Sequence, residues 1–489
     1  MANPPPKIRR AVFFAVALLA LAVRLPQLGD RPMHTDEAVN AYLTGELLAG
    51  ENFHYDPRDR HGPALFAVAE PLAKLLGANS FSELTETRLR LSTVLAGSAT
   101  VLLFGAGVEI FGFIPSLVAA LLFAFAPLPV YYSRYFIHET LFVAATLGLV
   151  LSGWRAWQKK SFLSAALAGF CAALMLAGKE TAVIHFFAIG GALMGGWCLK
   201  PREKFPPPKI VATALVVFIF TATLLFTWFG RNFSVFADLW HAIPRFAARA
   251  GGEGHEKPFW YYPVLLGGGW SGAVILIAAA AGFFRAIRNP ASAARFFMAI
   301  YALLAFVVYG AIPYKTPWLA LNFWLPLAIL AGVAVEWWWL ATPKFSSRTF
   351  MLLFAAVLGL LIAHDTVGRV FKIPADEKNP YAYAHTGEDL LRLPARLQEL
   401  ARQNQIPNPR IAVVAADAWP LPWYLRQFPQ AGFWQPDQDT GDADFFITTT
   451  DVSVKLAERL KNFRPEFFGA RPNVLLILWS PEKNNANHE

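Results

Sequence analysis

The sequence predicts an α-helical polytopic membrane protein with about eleven transmembrane helices and a small C-terminal extracytoplasmic α/β domain. Three observations predict it. The 489 residues are 55% hydrophobic and 16% charged, where soluble proteins carry about 25% charged residues. Apolar runs long enough to cross a bilayer recur as far as residue 364. From residue 365 onward the composition becomes that of a soluble chain.

The apolar runs fall at 11–29, 90–110, 115–133, 138–157, 162–178, 181–199, 210–229, 263–284, 295–313, 317–340 and 350–364. Lys7, Arg9 and Arg10 precede the first, which continues past Arg24 and so predicts an uncleaved span rather than a signal peptide. Basic residues collect in alternate loops: Arg155, Lys159 and Lys160; Lys200, Arg202, Lys204 and Lys209; Arg285, Arg288 and Arg295; Lys344 and Arg348. Only the loop 111–113 breaks the alternation, and it is too short to carry much charge. By the positive-inside rule the N-terminus and these loops are cytoplasmic, and an odd number of spans leaves the C-terminus outside. A bacterial inner membrane is the expected location. The same asymmetry accounts for the net charge of +9, so no nucleic-acid partner is expected. Cys171 and Cys198 lie in apolar runs and lack the spacing of a disulfide framework or a metal set.

Three segments on the outer side are long. Residues 30–89 predict a helix over 35–50, with Thr35 as N-cap and Val39, Tyr42, Leu43 and Leu47 on one side, and a second helix from Pro63 to Leu76. Residues 230–262 carry Arg231, Asp238, His241, Arg245, Arg249, His255 and Lys257. The tail predicts strands at 411–416, 444–450 and 473–480 and helices at 388–403 and 454–462. The predicted division is a membrane domain, 1–364, which includes the loop 30–89, and a separate domain, 365–489.

Asp36 and Glu37 stand directly after the first span, where the chain returns to water. Acids at a helix start are also favoured by the helix dipole alone. What singles out this pair is its company on the same predicted side: Tyr55 to Pro63, with Arg58, Asp59, Arg60 and His61; Arg134, His138 and Glu139; Lys179 and Glu180; and Lys315. Taken singly, Arg134 or Lys315 is better explained by snorkelling. Taken together, these groups suit transfer of a sugar from a polyprenyl-phosphate donor whose tail lies in the lipid bilayer. A carboxylate takes the proton of an acceptor hydroxyl. Cations stabilise the departing phosphate. A single base opposite the leaving group gives inversion. Asp36 is the candidate base. No dedicated metal set is visible, although Asp36, Glu37, His61, His138 and Glu139 could gather around a divalent metal ion in space.

At these residues the chain resembles the GT-C glycosyltransferases. It is most similar to the membrane family of protein O-mannosyltransferases and the bacterial lipid A aminoarabinose transferase (glycosyltransferase family 39), in the branch associated with flippase activity in archaeal glycosylation. The motifs run in order over residues 1 to about 340. His34-Thr35-Asp36-Glu37 looks like the family's acidic motif, whose Asp is the proposed base. Arg60-His61-Gly62-Pro63-Ala64-Leu65 stands where many relatives have a Lys-Pro-Pro-Leu-like stretch, with His61 in place of the lysine. Ser133-Arg134 followed by Glu139 resembles an Arg-then-acid motif in which the acid is usually Asp. Lys179 resembles a Thr-Lys-Gly-like site. His255 to Tyr262 is similar to a His-x-x-Pro-x-Tyr-Tyr stretch, and Lys315 to Trp318 resembles a basic motif near the lipid phosphate.

The resemblance implies the GT-C membrane fold, a polyprenyl-phosphate sugar donor and a site on the outer face. The leading reading takes Asp36 as base with Glu37 positioning it, and Arg60, His61, Arg134, Lys179 and Lys315 as candidates for the donor phosphate. Glu139, His138, His255 and Tyr261 become candidates for the acceptor or a metal. The acceptor, whether glycan, lipid or protein, is left open. Two other readings compete. A transporter or flippase of lipid-linked sugars would place its ionisable groups nearer the bilayer midplane, on paired repeats that the sequence lacks. A non-catalytic envelope scaffold leaves the acidic pair without a purpose.

Overall fold

The computed structural model describes residues 4–56, 60–199, 206–252, 254–289 and 292–482. Arg58, Asp59, Lys200, Arg202 and Lys204 of the sequence reading lie outside them. By contacts the chain forms two units. Unit 1 is Met1–Pro26, Glu51–Leu72 and Arg90–Lys372; unit 2 is Gln27–Gly50, Ala73–Leu89 and Ile373–Glu489. This differs from the sequence division at 364/365, because Gln27–Gly50, with the acidic pair, and Ala73–Leu89 pack with the tail. Their polar character fits a solvated unit better than a lipid-facing one.

The helices run in chain order as follows. The first four are α1 (Pro6–Arg24), α2 (Thr35–Leu48), α3 (Ala64–Leu75) and α4 (Glu86–Ala106). Then come α5 (Phe113–Phe125), α6 (Pro127–Ser133), α7 (Glu139–Lys159), α8 (Phe162–Gly178) and α9 (Ala182–Leu199). They are followed by α10 (Pro208–Phe226), α11 (Val235–Ala250), α12 (Trp270–Arg288) and α13 (Ala293–Ala311). The last long ones are α14 (Ala320–Ala341), α15 (Phe345–Thr366) and, in the tail, α16 (Leu393–Gln403).

Each predicted apolar run contains a helix, although the run 11–29 is helical only to Arg24 and the run 263–284 is interrupted at Gly267–Gly269. Among the described residues seven helices are long and apolar enough to cross a membrane, and the pair α5–α6 makes an eighth if counted as one span. Helices α8 and α9 are apolar but shorter, and α1 carries Lys7, Arg9, Arg10 and Arg24. The chain is an integral membrane protein. The predicted span at 115–133 is broken: α5 and α6 meet at 58°. Ala126 is extended there, with ψ 147°, because the ring of Pro127 excludes the helical conformation from the residue before it. The last span is longer than predicted, beginning at Phe345. Helix α14 is buried along most of its length and forms the middle of unit 1. Helix α11 was not predicted from the sequence. Its exposed Phe236 and Trp240 and its buried Val235 and Ala242 lie on different faces.

Unit 2 is built on a five-stranded sheet of order β2-β1-β3-β5-β4. The strands are β1 (Ile411–Val414), β2 (Ala431–Trp434), β3 (Phe445–Thr449), β4 (Phe463–Arg471) and β5 (Val474–Pro481). β1 pairs parallel with β2 and β3, Ile411 facing Ala431 and Phe445. β5 runs antiparallel to β3 and β4. The three predicted strands are β1, β3 and β5, the interior ones. The two edge strands were missed. β4 contains Pro465, which only an edge tolerates without losing a ladder bond, and β2 is four residues without a fully buried side chain. The helix predicted at 388–403 has its α-helical part in α16, after a 3-10 turn at Glu388–Arg392. That at 454–462 becomes two short pieces, Thr450–Lys455 and Ala457–Leu460.

Candidate active site

In unit 2 the acidic stretch opens α2 through a reciprocal cap. The Asp36 N–H donates to His34 Nδ1 at 3.1 Å, and the His34 N–H donates to the Glu37 carboxylate at 3.1 Å. The N-cap is therefore His34, not Thr35 as predicted. An imidazole Nδ1 reaches the first-turn amides much as a hydroxyl oxygen does. Since Nδ1 accepts, Nε2 carries the proton and donates to the Tyr383 carbonyl at 3.1 Å. Glu37 is fully buried, and both its oxygens lie 3.1 Å from Arg31 Nη2. Asp36, one position earlier, has a side chain 48% exposed, with Oδ1 3.9 Å from His34 Nδ1. One acid of the pair is engaged by the fold and the other is presented outward.

Tail residues fix this loop. The Met33 N–H donates to the Tyr424 hydroxyl at 2.9 Å, and the Met33 carbonyl accepts from Thr386 Oγ1 at 2.6 Å. The His385 ring stands 5.7 Å from that of His34. Burial, reinforced by Arg31 and His34, pushes the His385 imidazole well below 6.5 and keeps it neutral. The sequence singled out none of Arg31, Tyr383, His385, Thr386 or Tyr424. For the tail residues no local signal exists, because each lies more than about 340 residues from the loop it holds.

In unit 1 three helix boundaries converge. The Lys179 ammonium, just past α8, bonds the Glu139 carboxylate at the start of α7. Burial alone would lower the lysine, but Glu139 more than offsets it and holds Lys179 above its ordinary value. The neighbouring Glu180 takes His61 Nδ1 at 2.8 Å on Oε2 and the Tyr55 hydroxyl at 3.0 Å on Oε1. Burial would raise its carboxyl, yet the His61 charge, its own backbone N–H and Lys179 hold it at about 2. Burial and the Glu180 charge push the Tyr55 phenol up. The His138 ring meets His61 edge-on at 5.3 Å and donates from Nε2 to the Gly62 carbonyl at 3.2 Å. Burial, with the charges of His61 and Lys179, keeps it well below 6.5. Gly62 makes this closeness possible: a Cβ there would lie 2.3 Å from the Ala177 carbonyl oxygen.

The structure thus brings together His61, His138, Glu139 and Lys179. The other sequence candidates are placed differently. Arg134 donates to the carbonyls of Arg24 and Pro26 at 2.7 and 2.5 Å and lies over the Phe371 ring. The buried Lys315 donates to the Lys257 carbonyl at 3.1 Å and to that of Ile312, and burial lowers its amine. The His255 carbonyl accepts from the Lys315 N–H at 3.0 Å, and its ring stands 4.8 Å from Tyr314. Tyr261 opens a short helix, its ring 5.2 Å from Tyr262. Arg60 is half-buried beside His61. Among the described residues no three His, Cys, Asp or Glu side chains gather as a metal-holding group.

Residues 60–226, which include the whole cluster around Lys179 except Tyr55, match the family model for dolichyl-phosphate-mannose-protein mannosyltransferase. Solved proteins share the fold. ArnT from Cupriavidus metallidurans bound to undecaprenyl phosphate is 16% identical, over 96% of this chain and 97% of that one, with a TM-score of 0.65, and its apo form matches equally. The archaeal oligosaccharyltransferase AglB from Archaeoglobus fulgidus, in complex with an inhibitory peptide and a dolichol-phosphate, is 11% identical, over 97% of this chain and 74% of that one, with a TM-score of 0.57. No curated protein matches the sequence. The fold is the GT-C membrane fold that the sequence predicted.

Proposed function

We propose that this chain is a membrane glycosyltransferase that moves a sugar from a polyprenyl-phosphate donor to an acceptor hydroxyl, with Asp36 as general base. The observation that carries the reading is the asymmetry of the acidic pair. Glu37 is buried and bonded to Arg31 and the His34 N–H, whereas Asp36 projects half-exposed from the first turn of a capped helix. A base must reach its proton, and Asp36 is the acid left able to do so. In support, the family model covers residues 60–226, and ArnT and AglB, which share the fold, were solved with undecaprenyl phosphate and dolichol-phosphate.

In the proposed reaction the acceptor oxygen forms a bond to the anomeric carbon while Asp36 takes its proton. The bond between that carbon and the phosphate oxygen breaks, and the lipid phosphate leaves with the electron pair. Attack opposite the leaving group inverts the anomeric centre. The departing phosphate needs positive charge. Lys179 is suited to that role, because Glu139 keeps it protonated and the ion pair takes one of the ammonium's three N–H groups. Arg60 and His61 are the further candidates. Arg134 and Lys315, each bonded to backbone carbonyls, rank after these as phosphate candidates.

The test is transfer from radiolabelled polyprenyl-phosphate sugars in membranes, wild type beside Asp36→Asn. Label leaving the lipid with wild type alone supports the reading. Equal transfer by both removes Asp36 as base, and lipid binding with no transfer from any donor favours a carrier of the lipid-linked sugar.

A further inference from the structure

The opposite end of α7 holds a second charged feature. Arg155 lies 16 residues beyond Glu139 on α7, a distance of about 24 Å along the helix. A cavity of about 820 Å³ opens there, lined by α1, the end of α4 and α7. Its charged lining residues are Arg9, Arg10, Arg155 and Glu109, and Phe13, Phe14 and Leu102 line it with apolar surface. Arg155 is anchored by the Ala106 carbonyl at 2.5 Å. Among the described residues the guanidinium groups of Arg9 and Arg10 have no carboxylate or carbonyl partner. Glu109 in the lining pairs with Lys159 at 3.4 Å, so the lining, with three arginines, keeps a net positive charge. Gly105 lets α1 approach α4 here, since a Cβ there would stand 2.8 Å from the Phe13 ring. From the cavity an exposed apolar track leads along both helices, Phe14 and Leu18 on α1 and Leu102 and Leu95 on α4. These pairs are four and seven residues apart, so each shares one helix face.

We propose that this cavity binds the headgroup of an anionic phospholipid, in the leaflet opposite the Glu139 end, with its acyl chains along Phe14, Leu18, Leu95 and Leu102. The three arginines match a phosphate diester with net negative charge. A zwitterionic headgroup brings its own cation against them. The apolar track supplies what a free phosphate would not use. The site is separate from the proposed transfer chemistry and stands whether or not that chemistry is right.

The experiment is native mass spectrometry of the full-length purified protein, exchanged from detergent into phosphatidylglycerol or phosphatidylcholine. Wild type is expected to retain phosphatidylglycerol preferentially. Arg9→Gln with Arg10→Gln should lower that retention roughly fivefold for each charge removed, and Arg155→Gln should act in the same direction. Arg9→Lys with Arg10→Lys should restore most of it, which separates lost charge from lost folding. Inorganic phosphate should compete only weakly, because it lacks the chains. Equal retention of the two lipids by wild type overturns the proposal, as does unchanged retention in the Gln variants. Full displacement by inorganic phosphate also overturns it and makes the cavity a simple anion site.

Discussion

Two loops of this molecule place acids at a helix start, and they use them in opposite ways. In the loop before α2 the acids are neighbours in sequence, yet one is bonded by Arg31 and a backbone N–H and the other is half-exposed. Around Lys179 both acids are engaged, Glu139 by Lys179 and Glu180 by His61 and Tyr55. The first loop leaves one exposed carboxylate on the first turn of a capped helix. The second is a network of compensated charges in which the cation is kept protonated. Adjacency on the chain therefore says little about role. The number of hydrogen-bond partners that the fold supplies to each carboxylate says more.

The largest expected effect separates Asp36 from Glu37. Asp36→Asn should lower sugar transfer by about a thousandfold while leaving thermal unfolding unchanged. Glu37→Gln should do the reverse in kind. It leaves the buried Arg31 without its counter-charge, a loss of about 3 kcal/mol, seen as a lower melting temperature with residual transfer per folded molecule. If both variants fail only in transfer, the two acids act as a pair and the contrast disappears. Next in size, Lys179→Met should lower use of the lipid-phosphate donor by roughly ten- to a hundredfold, read in kcat as well as in kcat/KM, because the charge it stabilises develops as the phosphate leaves. Unaltered kcat and KM per folded molecule would assign Lys179 to structure alone.

The smallest effects lie in pH, and they set the two loops against each other. Folded His385 has its pKa pushed below 6.5 by burial and by Arg31 and His34, with Glu37 opposing. Below pH 6.5 the unfolded chain therefore binds a proton that the folded one refuses, and the stability of unit 2 falls as pH drops through that value. Glu180 is held at about 2 against 4.5 in an unfolded chain. Its contribution is complete above 4.5 and is lost as pH falls from there toward 2. Hydrogen exchange at roughly pH 7, 5.5 and 4 should show β1 and β3 loosening before the amides around 179–185. The opposite order would mean that His385 is not buried neutral in the folded protein.

The helical runs were legible because a bilayer demands long apolar segments whatever their partners. β1, β3 and β5 were legible because interior strands are continuous apolar runs, while β2 and β4, at the edges, carry no such pattern. The candidate site was legible in part. His61, His138, Glu139 and Lys179 were singled out, and they meet. The roles of Arg134 and Lys315 as binders of backbone carbonyls were not visible, since a basic residue at a span boundary reads the same in either use.

By itself the sequence determined that this chain lies in a membrane, where most of its long apolar helices fall, and that a pair of acids follows the first of them. Those properties follow from composition and periodicity along a local stretch. The tertiary structure alone decided which acid is exposed, which tail residues hold its loop, and how His61 reaches Glu180. The last two depend on side chains distant in sequence, and the first on Arg31 and the His34 N–H meeting Glu37 within one loop; in all three a burial cost that only the folded chain imposes selects among the possible hydrogen bonds.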